Sequence, residues 1–203
     1  MRFELVRLYR RARYGAPIVV VSGLPRSGTS MLMKMLEAGG MAVVSDGQRS
    51  ADQDNPKGYF EDERVKRLAQ DPDKAWLRSA RGKALKIISY LLKELPPDHN
   101  YKVVFVRRDL REVLASQTKM LARRGEAAET PDERMMELFE NDLWRAIYLV
   151  KHRPQFETLE VGYAEVVAHP EEQARRIAAF LGESLEVAAM AQAVDASLYR
   201  NRA

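Results

Sequence analysis

Ile18-Val-Val-Val-Ser-Gly-Leu-Pro-Arg-Ser-Gly-Thr-Ser30, continuing into Met31-Leu-Met-Lys-Met-Leu36, sets a buried-strand run, a glycine-bounded loop and the first turns of a helix in immediate succession. The spacing Gly23-x-x-x-x-Gly28 suits a phosphate cradle, in which backbone N–H groups and the positive end of the helix dipole converge on one anion. Loops of this spacing that hydrolyse nucleoside triphosphates follow their last glycine with Lys and then Ser or Thr. The Lys reaches the β- and γ-phosphates and the hydroxyl holds Mg²⁺. Thr29 stands in the Lys position here. The cradle is kept without its ammonium, while Arg26 and the hydroxyls of Ser27, Thr29 and Ser30 remain. A donor with a less charged head fits such a loop.

Two further segments repeat the strand-to-helix pattern. Tyr101-Lys-Val-Val-Phe-Val-Arg-Arg-Asp-Leu-Arg-Glu-Val-Leu-Ala-Ser-Gln117 is an apolar strand entering a helix, with Arg108 at its exit and Ser116 eight residues on. A guanidinium fork and a hydroxyl can clamp a phosphate monoester that backbone amides alone would hold loosely. Thr158-Leu-Glu-Val-Gly-Tyr163 leads into a helix opened by Pro170, favoured by Glu171 and Glu172 at its positive end and closed by Gly182. The coarse order predicts strands at Ile18–Ser22, Met41–Val44, Lys83–Ile88, Lys102–Arg107 and Phe156–Val161. Between them fall helices at Gly28–Ala38, from Glu61 toward Gln70, Ala75–Ser79, Ser89–Leu95, Leu110–Arg123 and Asp132–His152. Such alternation implies an α/β fold with a parallel sheet covered on both faces, whose ligands sit outside the carboxyl ends of the strands. Both anion-binding segments fall on those ends.

At Pro25-Arg26-Ser27-Gly28-Thr29-Ser30 the chain resembles the sulfotransferases that use 3′-phosphoadenosine 5′-phosphosulfate (PAPS), in their small bacterial form. Their 5′-phosphosulfate loop reads Pro-Lys/Arg-Ser-Gly-Thr-Thr/Ser after a strand. Arg108 and Ser116 resemble the family's 3′-phosphate motif, and Tyr163 takes the place of a turn tyrosine that lies near the adenine. The Ser197-Leu-Tyr-Arg-Asn-Arg202 tail looks like that of small bacterial members, so Arg200 or Arg202 is expected to close over the nucleotide. The matches run from Ile18 to Gly182. What the resemblance implies is a three-layer, P-loop-like fold, PAPS as donor, 3′,5′-bisphosphoadenosine (PAP) as product, and no required metal.

The family's small-molecule cytosolic branch takes the acceptor proton with a His two residues after a Lys at a strand end. Lys86-Ile-Ile-Ser-Tyr90 keeps the Lys and has Ile88 in the His position. The chain's three histidines are expected in surface or capping roles: His99 in a Pro-rich turn, His152 at a helix end, His169 before Pro170. Other branches use Glu. Asp54-Asn-Pro-Lys-Gly-Tyr-Phe-Glu-Asp-Glu63 resembles the Asn-Pro-x-Gly-aromatic-Glu stretch of bacterial members. Pro56 and Gly58 would shape the turn, Tyr59 and Phe60 wall off water, and Glu61 start a helix. A half-desolvated carboxylate beside aromatic rings suits a general base near neutral pH. Glu61 is therefore the expected base, with Asp62 and Glu63 as substitutes, and Arg26 and Lys86 the expected positive charges at the transferring sulfonate. All three acidic residues could equally be favourable first-turn charges, and Lys86 a strand-end lysine reaching solvent.

The composition sets bounds on these readings. A chain of 203 residues, 46% hydrophobic, is expected to form one domain spanning 1–203 with a basic arm over 1–16. The net charge of +4 is already reached by Arg2, Arg7, Arg10, Arg11 and Arg13 less Glu4, so the rest is neutral and no nucleic-acid face is expected. The arm has no long apolar run, which speaks against a membrane span. It reads instead as an amphipathic helix lying on the domain through Phe3, Val6 and Tyr9 or Arg10. Zero cysteines exclude disulfides and thiolate chemistry and favour a cytoplasmic enzyme. The acceptor, whether small molecule, glycan, lipid or peptide, is left open. A P-loop kinase with an altered loop is the rival enzyme reading, and a nucleotide-binding or interaction module without activity the rival outside enzymes.

Overall fold

The computed structural model describes residues 2–47, 60–123, 125–126 and 130–199. Four parallel strands, β1 (Ile18–Ser22), β2 (Ala84–Lys86), β3 (Tyr101–Arg107) and β4 (Phe156–Gly162), form one sheet in the order β2-β1-β3-β4. All five residues of β1 are buried, as a central strand covered on both faces requires. From β1 the chain crosses first to β2 on one side and then to β3 on the other. The carboxyl ends of β1 and β3 therefore flank the topological switch point, where open α/β sheets bind ligands.

Strand alternation separates two cores. Val19 and Val21 of β1, with Val104 and Val106 of β3, pack under α2 (Thr29–Ala38), the later helices α6 (Tyr163–Ala168) and α7 (Pro170–Leu181), and Met190 of α8 (Val187–Gln192). Ile18 and Val20, with Val103 and Phe105, pack under α4 (Leu110–Arg123), α5 (Asp132–His152) and a 3-10 helix at Ser89–Glu94. The sheet is thus the middle of three layers, as the alternating pattern predicted.

Several local expectations are corrected. Met41–Val44 is not a strand but makes a single bridge, Val43 to Ala84, because it meets only the first residue of β2. The predicted strand at Lys83–Ile88 pairs only over Ala84–Lys86, beyond which Ser89 opens the 3-10 helix. The helix expected from Glu61 toward Gln70 is one turn, α3 (Glu63–Lys66), and Ala75–Ala80 is 3-10 rather than α. The arm is helical, α1 (Arg2–Tyr14), but Val6 and Tyr9 are 39% and 62% exposed. What ties it down is polar: Arg10 donates to the carbonyls of Pro97 and His99 at 2.6 and 2.7 Å and to Asn100 Oδ1 at 3.2 Å. His99 is buried rather than on the surface, with Nδ1 3.0 Å from the Asp98 carboxylate.

Candidate functional site

The loop after β1 is shaped by two glycines. A Cβ on Gly23 would sit 2.6 Å from both Ser27 Oγ and the Val106 carbonyl oxygen, so only glycine lets the loop turn this close to β3. Gly28 holds a φ of 107° and touches the ring of Tyr163, where a Cβ would come within 2.4 Å of Cδ2. Ser27 folds the loop back on itself, its hydroxyl donating to the Leu24 carbonyl at 2.7 Å. Gly28 is the residue preceding α2 and brings no capping side chain to the helix's opening amides. That arrangement suits an anion.

Positive φ among the described non-glycine residues occurs only at Arg26 (68°) and Phe60 (50°). Both adjoin groups expected to act, as strained backbone at functional sites does. The turn at Arg26 sends its Nε to Ser116 Oγ on α4, 3.1 Å away. Arg108, just past β3, donates through Nη1 to the Arg26 carbonyl at 3.2 Å and through Nε to Glu112 at 2.8 Å. Its guanidinium lies over the rings of Tyr163, 4.4 Å from the centroid, and Tyr199, at 5.4 Å. The Tyr199 hydroxyl donates to the other Glu112 oxygen at 2.6 Å. Arg26, Ser27, Gly28, Arg108, Ser116 and Tyr163, read separately along the chain, thus converge at the β1 and β3 ends. Burial pushes the Tyr163 phenol up and the hydrogen bond to Glu112 raises that of Tyr199, so both rings stay neutral.

Glu112 and Tyr199 were missed in the sequence. Glu112 carried a signal, since it stands four residues after Arg108, in the first turn of the helix that follows it. Side chains 7% and 5% exposed make that ion pair a fixed part of the structure. Holding Nε, Glu112 sets the direction of the guanidinium fork. Tyr199 carried no local signal.

A second cluster forms at the end of β2. Lys86 Nζ is 3.4 Å from one Glu61 oxygen, and Lys66 Nζ is 3.5 Å from the other. Lys86 is mostly covered rather than extended into solvent; its side chain is 10% exposed and that of Glu61 19%. Glu61 does not begin a helix either. Its carbonyl accepts from the Asp46 amide at 3.1 Å and from Ser45 Oγ at 3.2 Å, and Asp62 is the cap of α3. Asp62 accepts from the Arg64 amide and, at 2.9 and 2.6 Å, from its guanidinium, which holds the carboxyl below its ordinary value. Glu63 pairs with Lys66 at 2.6 Å. Of the three carboxylates, Glu61 alone joins Lys86. Ile88 packs into the core and supplies no base. The β2 end is tied to the loop by the Ser89 amide, which donates to the Gly23 carbonyl at 3.0 Å.

Pro56, Gly58, Tyr59, Arg200 and Arg202 lie outside the described residues. Among the described residues no group of His, Asp or Glu is placed to hold a metal ion, and no helix is long and apolar enough to cross a membrane. The residues fit a nucleotide with an anion at each end. The glycine loop and the α2 amides would suit one anion and Arg108 with Ser116 a second, while the Tyr163 ring is buried between Gly28, the Arg108 guanidinium and Tyr199.

Comparison with solved structures supports the same fold. The sulfotransferase domain from the curacin biosynthetic pathway matches with a TM-score of 0.55 at 15% identity, over 89% of this chain and 78% of that one. A mouse sulfotransferase complexed with PAP gives 0.52 at 18% identity, over 91% and 63%. A sulfotransferase from Mycobacterium avium gives 0.52 at 16%, over 93% and 71%. No curated protein matches the chain by sequence. The model of the sulfotransferase domain matches residues 16–201, from the strand before the glycine loop to the segment beyond Tyr199, and the chain belongs to that family.

Proposed function

We propose that this protein transfers a sulfonate group from PAPS to an acceptor hydroxyl or amine by in-line displacement. The bond between sulfur and the acceptor atom forms as that between sulfur and the nucleotide's 5′-phosphate oxygen breaks. The acceptor proton passes to Glu61. Arg26, Lys86 and the amides of Gly28, Thr29 and Ser30 oppose charge on the leaving oxygen. Pro25 and Ser27 shape the loop, Arg108 and Ser116 take the 3′-phosphate, and Tyr163 lies against the base. Arg200 would add a nucleotide contact, as the resemblance of the Ser197–Arg202 tail to that of small bacterial members implies. The carrying observation is the convergence of Arg26, Arg108 and Ser116 beside a glycine loop that has Thr29 where a triphosphate would need Lys. Acceptors range over small molecules, glycans, lipids and peptides, with no nucleic acid and no metal required. The cysteine-free composition supports work in a bacterial cytoplasm.

Thermal melting tests the donor. PAP without metal should raise the melting temperature, since a ligand at about a hundred times its Kd stabilises by roughly 2.7 kcal/mol. ATP with Mg²⁺ should do much less. The reverse order refutes the reading and favours a kinase.

A further inference from the structure

The arginines of α1, less its one glutamate, account for the chain's whole net charge of +4. The matched sulfotransferase domain begins at residue 16, so this helix lies outside it. Its inner face is polar and occupied. Arg7, Arg10 and Tyr14 recur at i, i+3 and i+7 on that face. Arg7 Nε lies 3.6 Å from a Glu157 oxygen, Arg10 holds the carbonyls of Pro97 and His99 and the side chain of Asn100, and the Tyr14 ring lies 4.8 Å from the Arg10 guanidinium.

The outer face is apolar and open. Leu5, Leu8, Tyr9 and Ala12 recur at i, i+3, i+4 and i+7, the spacing of one helical stripe, and all four are exposed, Leu5 by 63% and Leu8 by 64%. Such a stripe ordinarily turns toward a core. Arg10 ties the opposite side of α1 to the domain, so this one points away from it. Arg11, three residues past Leu8, and Arg13, four past Tyr9, border the stripe on its two sides and are exposed as well. Single surface leucines need no explanation, but an aligned stripe with basic borders does.

That combination fits one kind of surface. A second copy of the helix would set its own arginine borders against Arg11 and Arg13, an opposition of like charges. A protein groove would have to wrap a helix whose inner face the domain already occupies. A nucleic acid would leave the leucines against phosphates. A plane of anionic lipid meets none of these obstacles: the leucines and tyrosine enter the headgroup boundary while guanidinium groups on long stems stay at the phosphates. We propose that α1 docks the protein on an anionic membrane surface through Leu5, Leu8 and Tyr9, with Arg11 and Arg13 on the lipid phosphates. Asn100 and Glu157, which α1 meets, lie at the amino ends of β3 and β4, so the docked protein keeps the glycine loop, at the carboxyl ends, turned toward the aqueous side. The proposal is independent of the donor and acceptor assigned to that site.

The test is flotation of the protein with vesicles of phosphatidylcholine alone and of phosphatidylcholine mixed with phosphatidylglycerol, at about 0.1 and about 0.5 M salt. The mixed vesicles should bind it about tenfold or more tightly than the neutral ones at the lower salt, and the difference should shrink at the higher. Leu5→Ser with Leu8→Ser, and separately Arg11→Gln with Arg13→Gln, should each weaken that binding about tenfold. Both pairs stand apart from the ties that hold α1 to the domain, so the melting temperature should stay that of the wild type, which separates a lost surface from a lost fold. Equal binding to the two kinds of vesicle, or binding that survives both double variants, overturns the proposal. So does a wild-type dimer in analytical ultracentrifugation that the leucine variant dissolves, with no vesicle bound, which would give the face to a second copy.

Discussion

Replacing Arg108 tests whether the guanidinium reads the 3′-phosphate. Alone, Arg108→Ala would take the guanidinium away from a carboxylate only 5% exposed. Breaking a buried pair in this way costs about 3–5 kcal/mol of stability. Arg108→Ala is therefore combined with Glu112→Gln, whose amide oxygen can still accept from Tyr199. A hydrogen bond to a charged group is worth about 1.5–3 kcal/mol, and each 1.4 kcal/mol is tenfold in affinity. The double variant should accordingly bind PAP about ten- to a hundredfold more weakly. Adenosine 5′-monophosphate lacks the phosphate assigned to Arg108, and its affinity should change by less than about twofold. Calorimetry with both ligands on wild type and variant decides the matter. Equal losses for the two nucleotides would refute the assignment and leave Arg108 as a brace between Arg26, Glu112 and the two tyrosines.

Glu61→Gln keeps the shape beside Lys86 and removes the proton acceptor. Sulfonate transfer from labelled PAPS into cell extract should fall about a hundredfold or more with PAP binding unchanged, and transfer at the wild-type rate would sink the base assignment. Gly28→Ala puts a Cβ 2.4 Å from Tyr163 at a φ of 107°. Such backbone strain costs about 1–3 kcal/mol, so the melting temperature and the PAP-induced shift should both drop, and an unaltered melt with full binding would show that the loop does not need this approach. The carboxyl of Asp62 is held below its ordinary value, so its contribution is complete above the ordinary carboxylate range and disappears as pH falls through the lowered value. Asp62→Asn keeps a capping side chain but loses the charge facing Arg64, so unfolding of wild type and variant should differ by about 1 kcal/mol or less at neutral pH and converge in acid. A difference that is constant down to strong acid would contradict this.

The donor half of the site is written locally. A loop bounded by Gly23 and Gly28 between an apolar run and a helix, and an Arg at a strand exit followed by a Ser on the next helix, are short-range patterns whose backbone consequences hardly depend on the rest of the chain. The alternation of strands and helices then confines both patterns to the carboxyl edge of one parallel sheet. Pairing lengths were another matter. Met41–Val44 and Lys83–Ile88 are apolar enough for strands, yet how far each pairs was settled by where its neighbours end.

Only the tertiary structure decided the partners. Nothing local announces that Tyr199 will reach Glu112, 87 residues earlier, that Lys86 will meet Glu61, or that Ser89 will find Asp142 on α5. Such pairs have no period in the sequence, because they are made by side chains from different elements whose approach is fixed by packing on the two sheet faces. Asp62 and Glu63 take the local partners Arg64 and Lys66, two and three residues on, whereas packing of β2 beside this segment gave Glu61 to Lys86.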